Sequence, residues 1–136
     1  MSECQVVVAT TGAPNLIQPE MIHKGQVILA LSNPKPEIDP EVALERGAVF
    51  AADGKSVNNV LGFPGIFRGA VDSRAPRITH EMLIAAVDVL VRMTPSGELM
   101  PNPLDKKVHH EVARAVAETA IKQGIARAEY VPYVEE

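Results

Sequence analysis

Two adjacent carboxamides, Asn58 and Asn59, lie in an otherwise apolar segment of residues 57–69, which reads VNNVLGFPGIFRG. An asparagine side chain offers both a hydrogen-bond donor and an acceptor and carries no charge. A pair of them in a dry site can hold a hydroxy acid or a ligand amide without disturbing nearby charges. The alternative is structural, because asparagine is also common at helix N-caps and in turns.

A third carboxamide, Asn33, follows an apolar run at residues 26–31 and precedes Pro34. Similar runs occupy residues 5–10 and 48–52, and each ends in small polar residues. Continuous apolar runs of this length are typical of strands that are buried on both faces, as in parallel sheets. The runs are nearly equally spaced and have helix signals between them. This pattern predicts alternating strands and helices with right-handed crossovers.

In open parallel sheets, ligands bind outside the carboxyl ends of the strands. We therefore expect the loops at residues 10–13, 32–34 and 53–59 to meet at one edge of the sheet. This arrangement would bring the three asparagines together. The sequence thus predicts a binding site at that edge, although every sheet of this class has such an edge.

The remainder of the chain is predicted to be mostly helical. A helix over residues 39–47 begins at the cap Asp39, and a helix over residues 64–72 has Gly65 and Gly69 to let it lie close to the sheet. Two longer helices begin at the caps Thr79 and Asp105 and end near Met93 and Gln123. Their predicted core positions are Met82, Leu83, Ala86, Val87 and Leu90 in the first, and Val108, Val112, Val116, Ala120 and Ile121 in the second.

The fold prediction is an α/β domain with a partial Rossmann-like parallel sheet of about three strands, followed by C-terminal helices. Residues 1–136 form a single domain in this prediction, since no linker or low-complexity segment divides them.

Composition excludes several classes of protein. The chain has 136 residues and a net charge of −4, without a basic stripe, so no nucleic-acid surface is predicted. The apolar runs are too short to cross a bilayer, and no targeting segment opens the chain, so no membrane contact is predicted. The single cysteine, Cys4, excludes an internal disulfide and suits a cytoplasmic location.

The common catalytic and metal-binding patterns are absent from the sequence. The His-Glu pairs that start at His80 and His110 do not complete an H-E-x-x-H motif, and Ser56 lacks a nucleophile elbow. Asp53, next to Gly54, is read as a turn residue or as a ribose contact, the turn being favoured. No residue of this chain is therefore predicted to be catalytic or to bind a metal.

The segment at residues 57–69 resembles the signature near the carboxyl end of the malic enzymes. Upstream, residues 30–34 (ALSNP) resemble the other carboxamide loop of that family. The resemblance extends from about residue 4 to about residue 127, and it covers only the later half of the family's cofactor domain. The two motifs together are far more specific than either one alone.

The resemblance implies an oxidoreductase of the malic enzyme family, which oxidises malate with NAD or NADP and decarboxylates the product to pyruvate, with Mg²⁺ or Mn²⁺. It implies that Asn33 and Asn59 contact the malate, with Asn58 beside them in the malate site or in contact with the nicotinamide ribose. The cofactor contacts that it implies are Thr10, Thr11, Gly12, Ser32, Asn33 and Asn59, the first three in a loop that lines the nicotinamide end. The loop at residues 53–56 is shorter than the common family pattern, which affects the placement of Asn58.

The family's catalytic tyrosine and lysine, its acidic metal ligands and its glycine-rich phosphate loop would all precede Met1. We therefore expect this chain to act as part of an enzyme and not to turn over malate alone. Its expected partners are an N-terminal half or further copies of itself. The alternatives are a stand-alone, non-catalytic nucleotide-binding or interaction module, and another nucleotide-dependent dehydrogenase with a similar half-domain.

Overall fold

Short runs of β-branched and small apolar residues form a parallel sheet. The computed structural model describes residues 3–57 and 59–132, without the side chain of Asn59. Its strands are β1 (Val6–Ala9), β2 (Val27–Ala30) and β3 (Phe50–Asp53), which pair in parallel in the order β1-β2-β3. These strands confirm the predicted α/β class, although β3 starts later than the apolar run from which it was predicted.

Helices connect and follow the strands. They are α1 (Pro40–Glu45), α2 (Phe63–Asp72), α3 (His80–Met93) and α4 (Lys106–Lys122), with single turns of 3₁₀ helix at Pro19–Met21 and Asn59–Leu61. The predicted caps are confirmed, because the side chains of Asp39, Thr79 and Asp105 each accept a hydrogen bond from a backbone N–H of the first turn. Within the described residues, no helix combines the length and the apolar character that crossing a membrane requires.

The chain divides into two compact units, Met1–Asn58 and Asn59–Glu136. The first unit contains the sheet and α1, and its core packs on one face of the sheet. The buried members of this core are Ala9, Ile17, Ile22, Ile28, Ala30, Ile38, Ala43 and Ala48. The second unit contains the remaining helices and has a core of its own. The single domain over residues 1–136 stays a prediction.

The other face of the sheet is open on β1, where the side chains of Val6 and Val8 are 55% and 59% exposed. Successive residues of a strand point to opposite faces. Ala9 therefore points into the core, whereas Val6 and Val8 point away from it. The prediction that this strand is buried on both faces is wrong for the chain as described.

In the second unit, α2 packs on α4 through its glycines. A Cβ atom at Gly69 would touch the carbonyl oxygen of Ala113 and lie 2.8 Å from Cβ of Val116, and one at Gly65 would lie 2.7 Å from Cγ1 of Val112. The two glycines were predicted to bring α2 close to the sheet. The contact that requires them is instead with α4.

The core faces of α3 and α4 are narrower than the predicted stripes. Met82 and Ala86 on α3 are buried as predicted, but Leu83 and Val87 are exposed, so the prediction is wrong for these two. On α4 the valines and Ala120 are buried, and Ile121 is exposed. The reason is geometric, because α3 buries mainly the side that faces α4, and α4 buries the sides that face α2 and α3. The flanking apolar positions stay outside.

Candidate functional site

The loops after β1 and β2 are joined by a buried carboxylate, Glu37. Its side chain has no exposed surface. Oε1 accepts hydrogen bonds from the backbone N–H of Thr11 (2.7 Å), from Oγ1 of Thr11 (2.8 Å) and from Oγ of Ser32 (2.6 Å). Oε2 accepts a longer bond from the backbone N–H of Ser32 (3.3 Å). A single side chain therefore fixes both loops at the carboxyl edge of the sheet.

Burial and hydrogen bonding shift the pKa of the Glu37 carboxyl in opposite directions. Burial raises the pKa of its carboxyl, but the hydrogen bonds from Ser32 and Thr11 outweigh it and lower the pKa from 4.5 to about 2. The group is thus ionised at neutral pH. Hydrogen bonds from neutral donors stabilise its charge. Without them, burial of a carboxylate would cost folding free energy.

A second link joins the loop after β2 to the loop after β3. Nδ2 of Asn33 donates a hydrogen bond to the carbonyl oxygen of Gly54 (3.3 Å). Gly54 is buried, and a Cβ atom there would contact the carbonyl oxygen of Leu31 and lie 2.8 Å from Nδ2 of Asn33. The two loops approach so closely that only glycine fits at this position.

Asp53 closes the turn that follows β3. Its Oδ1 accepts hydrogen bonds from the backbone N–H groups of Lys55 (3.1 Å) and Ser56 (2.9 Å) and from Oγ of Ser56 (2.8 Å). The bond from the backbone of Ser56 is the main reason that the pKa of Asp53 lies below its ordinary value. Of the two readings of this residue, the structure therefore supports the turn.

The structure brings several of the predicted site residues to one edge. Thr11, Gly12 and Ser32 are joined by the Glu37 network and by a bond from the backbone N–H of Gly12 to Oγ of Ser32 (2.9 Å). Asn33 follows Ser32 directly, and Thr10, which is exposed, follows β1 at the same edge. Their roles toward a ligand stay predictions.

The predicted approach of Asn33 to the asparagine pair stays a prediction as well. Asn58 and the side chain of Asn59 lie outside the described residues.

Glu37 was not found from the sequence. It lies between Pro36 and Ile38 in what reads as an ordinary turn, and its partners Ser32 and Thr11 are 5 and 26 residues away. The available sequence clue was weak: a lone carboxylate shortly after a strand end, close to two small hydroxyl residues.

The described groups at this edge are hydrogen-bond donors and acceptors, which could bind and orient a ligand. Among the described residues, no group of three or more His, Cys, Asp or Glu side chains is placed to hold a metal ion. The described residues therefore do not fit a divalent cation. Glu37, ionised and enclosed by its donors, is not available as a proton carrier.

A three-stranded parallel sheet with polar loops at the carboxyl ends of its strands defines a partial Rossmann-like α/β fold. Residues 3–125 match the family model described as "Malic enzyme, NAD binding domain". The chain belongs to this family.

Known relatives include enzymes with either nicotinamide cofactor. The chain is 59% identical over 121 residues to the NAD-dependent malic enzyme 1 of Bacillus subtilis, with 89% of this chain covered. It is 39% identical over 145 residues to the NADP-dependent malic enzyme of Halomonas elongata, with 86% of this chain covered. The crystal structure of malic enzyme from Pyrococcus horikoshii Ot3 superimposes on 93% of this chain with a TM-score of 0.82 and 40% identity.

These relatives are much longer than the matching region. The chain spans 28% of the Bacillus subtilis enzyme, 34% of the Halomonas elongata enzyme and 32% of the Pyrococcus horikoshii chain.

Proposed function

We propose that this chain provides cofactor and malate contacts to an NAD(P)-dependent malic enzyme, which converts malate to pyruvate and CO₂. The observation that carries the proposal is the joined edge of loops after β1, β2 and β3, in a chain that belongs to the malic enzyme NAD-binding domain family. Thr10, Thr11, Gly12 and Ser32 would line the cofactor.

Asn33 is the described residue best suited to the substrate. Among the described residues its side chain makes one hydrogen bond, to Gly54, which leaves its oxygen and its second N–H for a ligand. These two groups can orient the hydroxyl and a carboxylate of malate for hydride transfer to the cofactor. Angstrom-scale placement of reacting groups has large effects on rate. Asn58 and Asn59 belong to the same proposed malate site.

The rest of the reaction requires groups that the described residues do not supply. Among the described residues no ligand set for Mg²⁺ or Mn²⁺ is present, and no residue is assigned proton transfer. We therefore propose that the chain alone is inactive and that the metal ligands and the acid and base lie in the remainder of the complete enzyme.

Association with further polypeptide is part of the proposal. Parallel sheets are almost always covered on both faces, and the exposed Val6 and Val8 support association with an N-terminal half of the cofactor domain or with another copy of the chain. A cytoplasmic location is also proposed, and the exposed, unpaired Cys4 is compatible with a reducing compartment.

The test is reconstitution. The purified 136-residue chain is assayed with malate, Mn²⁺ and NAD⁺ or NADP⁺, alone and after mixing with the remaining part of the Bacillus subtilis enzyme expressed separately. We expect turnover only in the mixture. We expect Asn33→Ala to lower kcat there by about 100-fold, because the substrate is no longer oriented.

The matched control for the reconstitution is Lys35→Ala, an exposed change in the same loop, which should leave kcat unchanged. Turnover by the chain alone would refute its dependence on a partner, and full activity of Asn33→Ala in the mixture would refute the malate site. Binding of cofactor without any reconstituted activity would favour the stand-alone nucleotide-binding module.

A further inference from the structure

The hydrogen-bond network around Glu37 fixes the direction of two hydroxyl protons. An ionised carboxylate only accepts hydrogen bonds. Oγ1 of Thr11 and Oγ of Ser32 must therefore donate their protons to Oε1 of Glu37, at 2.8 Å and 2.6 Å. Neither hydroxyl keeps a proton for a ligand, and toward any further partner each oxygen can only accept a hydrogen bond.

The backbone N–H groups of residues 11–13 also have hydrogen-bond partners within the protein. The N–H of Thr11 donates to Glu37 (2.7 Å), that of Gly12 to Oγ of Ser32 (2.9 Å) and that of Ala13 to Oγ1 of Thr11 (3.2 Å). A run of successive backbone N–H groups with no other partner is a common binding site for phosphate. Here all three are occupied within the protein.

The position that an external anion would take in such a loop is filled by the protein's own carboxylate. Thr11 and Gly12 are exposed at the surface of this edge, whereas Glu37 is buried behind them. The edge therefore combines hydroxyl oxygens that can only accept further hydrogen bonds with an internal negative charge. Groups that donate hydrogen bonds are attracted to such a surface, and phosphate groups are repelled.

We infer that Glu37 is a positioning residue, which holds residues 11–13 and Ser32 as a hydrogen-bond-accepting edge for the hydroxyl and amide groups of a nucleotide cofactor and excludes its phosphates. The inference rests on the proposed cofactor role of this edge. What it adds is the residue that holds the two loops together and sets the polarity of the edge.

The experiment uses two probes that separate the halves of the cofactor: nicotinamide riboside, which has no phosphate, and inorganic pyrophosphate. Binding to the ¹⁵N-labelled 136-residue chain is followed by amide chemical shifts at residues 11–13 and at Ser32. Wild-type protein should respond to the riboside at these amides and should not respond there to pyrophosphate.

Glu37→Gln keeps the shape of the side chain and removes its charge. We expect it to weaken riboside binding by about 10-fold or more, since hydrogen bonds to charged groups are the stronger ones. The hydrogen exchange rate of the Thr11 amide should rise by about 10-fold, while that of Ile28 in β2 stays unchanged. The matched control is Glu45→Gln on α1, an exposed site with the same change of charge, which should alter neither quantity.

Ser32→Ala provides a second, milder variant in case Glu37→Gln does not fold. It removes the hydroxyl that occupies the N–H of Gly12. Pyrophosphate should then produce shifts at Gly12 that are absent in the wild type. General loss of structure would instead weaken riboside binding without any gain for pyrophosphate, so this gain distinguishes positioning from mere stabilisation.

Three results would overturn the inference. Unchanged riboside affinity and Thr11 exchange in a folded Glu37→Gln variant would remove the positioning role while leaving the proposed function intact. Wild-type protein that binds pyrophosphate at residues 11–13 would refute the exclusion of phosphates. Wild-type protein that binds neither probe there would refute the proposed cofactor role of this edge together with the ligand preference.

Discussion

The two units of the chain are stabilised at their key contacts by different physical means. In the first unit, a buried charge joins distant loops through hydrogen bonds, with Glu37 at the centre. In the second unit, helices approach until backbone and side chain touch at Gly65 and Gly69. One arrangement depends on protonation and on satisfied polar groups, and the other depends on volume. The comparison indicates that charge and hydrogen bonding constrain the residues around Glu37, whereas side-chain volume constrains Gly65 and Gly69.

The two units should also differ in the substitutions that they tolerate. A change that keeps the shape of Glu37 but alters its charge should disturb the loops after β1 and β2. A change that keeps the polarity of α2 but adds a methyl group at Gly69 should disturb the contact with α4. Three experiments, in order of decreasing effect, test this separation.

The largest effect is expected for Glu37→Ala. Truncation leaves the N–H of Thr11 and the hydroxyls of Thr11 and Ser32 without their acceptor, and the free energy of unfolding should fall by about 4 kcal/mol. Urea unfolding followed by circular dichroism measures the loss. Glu45→Ala, at an exposed site on α1, should change stability by less than about 0.5 kcal/mol. A loss below about 1 kcal/mol for Glu37→Ala would contradict the central role of this carboxylate.

A smaller loss is expected on acidification of the wild-type protein. The pKa of Glu37 is lowered from 4.5 to about 2 by its hydrogen bonds, so the unfolded chain takes up the proton first as the pH falls. The stability that Glu37 contributes is complete above pH 4.5 and is lost progressively toward pH 2. The stability difference between wild type and Glu37→Gln, measured by urea unfolding, should therefore shrink over this range. A constant difference would contradict the assignment of the charge.

The smallest of the three effects is expected for Gly69→Ala in the second unit. The added Cβ atom would meet the carbonyl oxygen of Ala113 and Cβ of Val116, which costs about 2 kcal/mol of stability through overpacking. Val71→Ala, on the exposed side of the same helix, should cost less than about 0.5 kcal/mol. The loss at Gly69 should not depend on pH between about 5 and 3, because no titrating group takes part. A pH-dependent loss of stability in Gly69→Ala would contradict the view that this contact depends on volume and not on charge.

Local chemistry was sufficient to predict much of the fold. Asp39, Thr79 and Asp105 were recognisable as caps because their partners lie within the next few residues. The strands followed from apolar runs, and their shared carboxyl edge followed from the parallel arrangement. The sequence alone therefore predicts that Thr11, Ser32 and Asn33 lie at one edge.

Tertiary properties could not be predicted in the same way. Glu37 is one of 17 acidic residues, and nothing in its local sequence shows that its carboxylate is enclosed by a loop 26 residues away. The exposure of Val6 and Val8 was missed because an apolar run does not tell whether one or both faces of its strand are covered. Leu83 and Val87 were missed for the related reason that a helix with apolar residues on several sides buries only the side that has a neighbour.

The open side of β1 has a practical consequence for handling the isolated chain and for choosing a probe of its unfolding. An exposed apolar surface that includes Val6 and Val8 offers a binding place for fluorescent dyes that report on hydrophobic patches. Such dyes should already be bright in the native chain, so a dye-based melting curve would begin from a high baseline and understate the transition. Precipitants such as ammonium sulfate should reduce the solubility of the isolated chain at unusually low concentration, because excluded salts strengthen contacts between apolar surfaces.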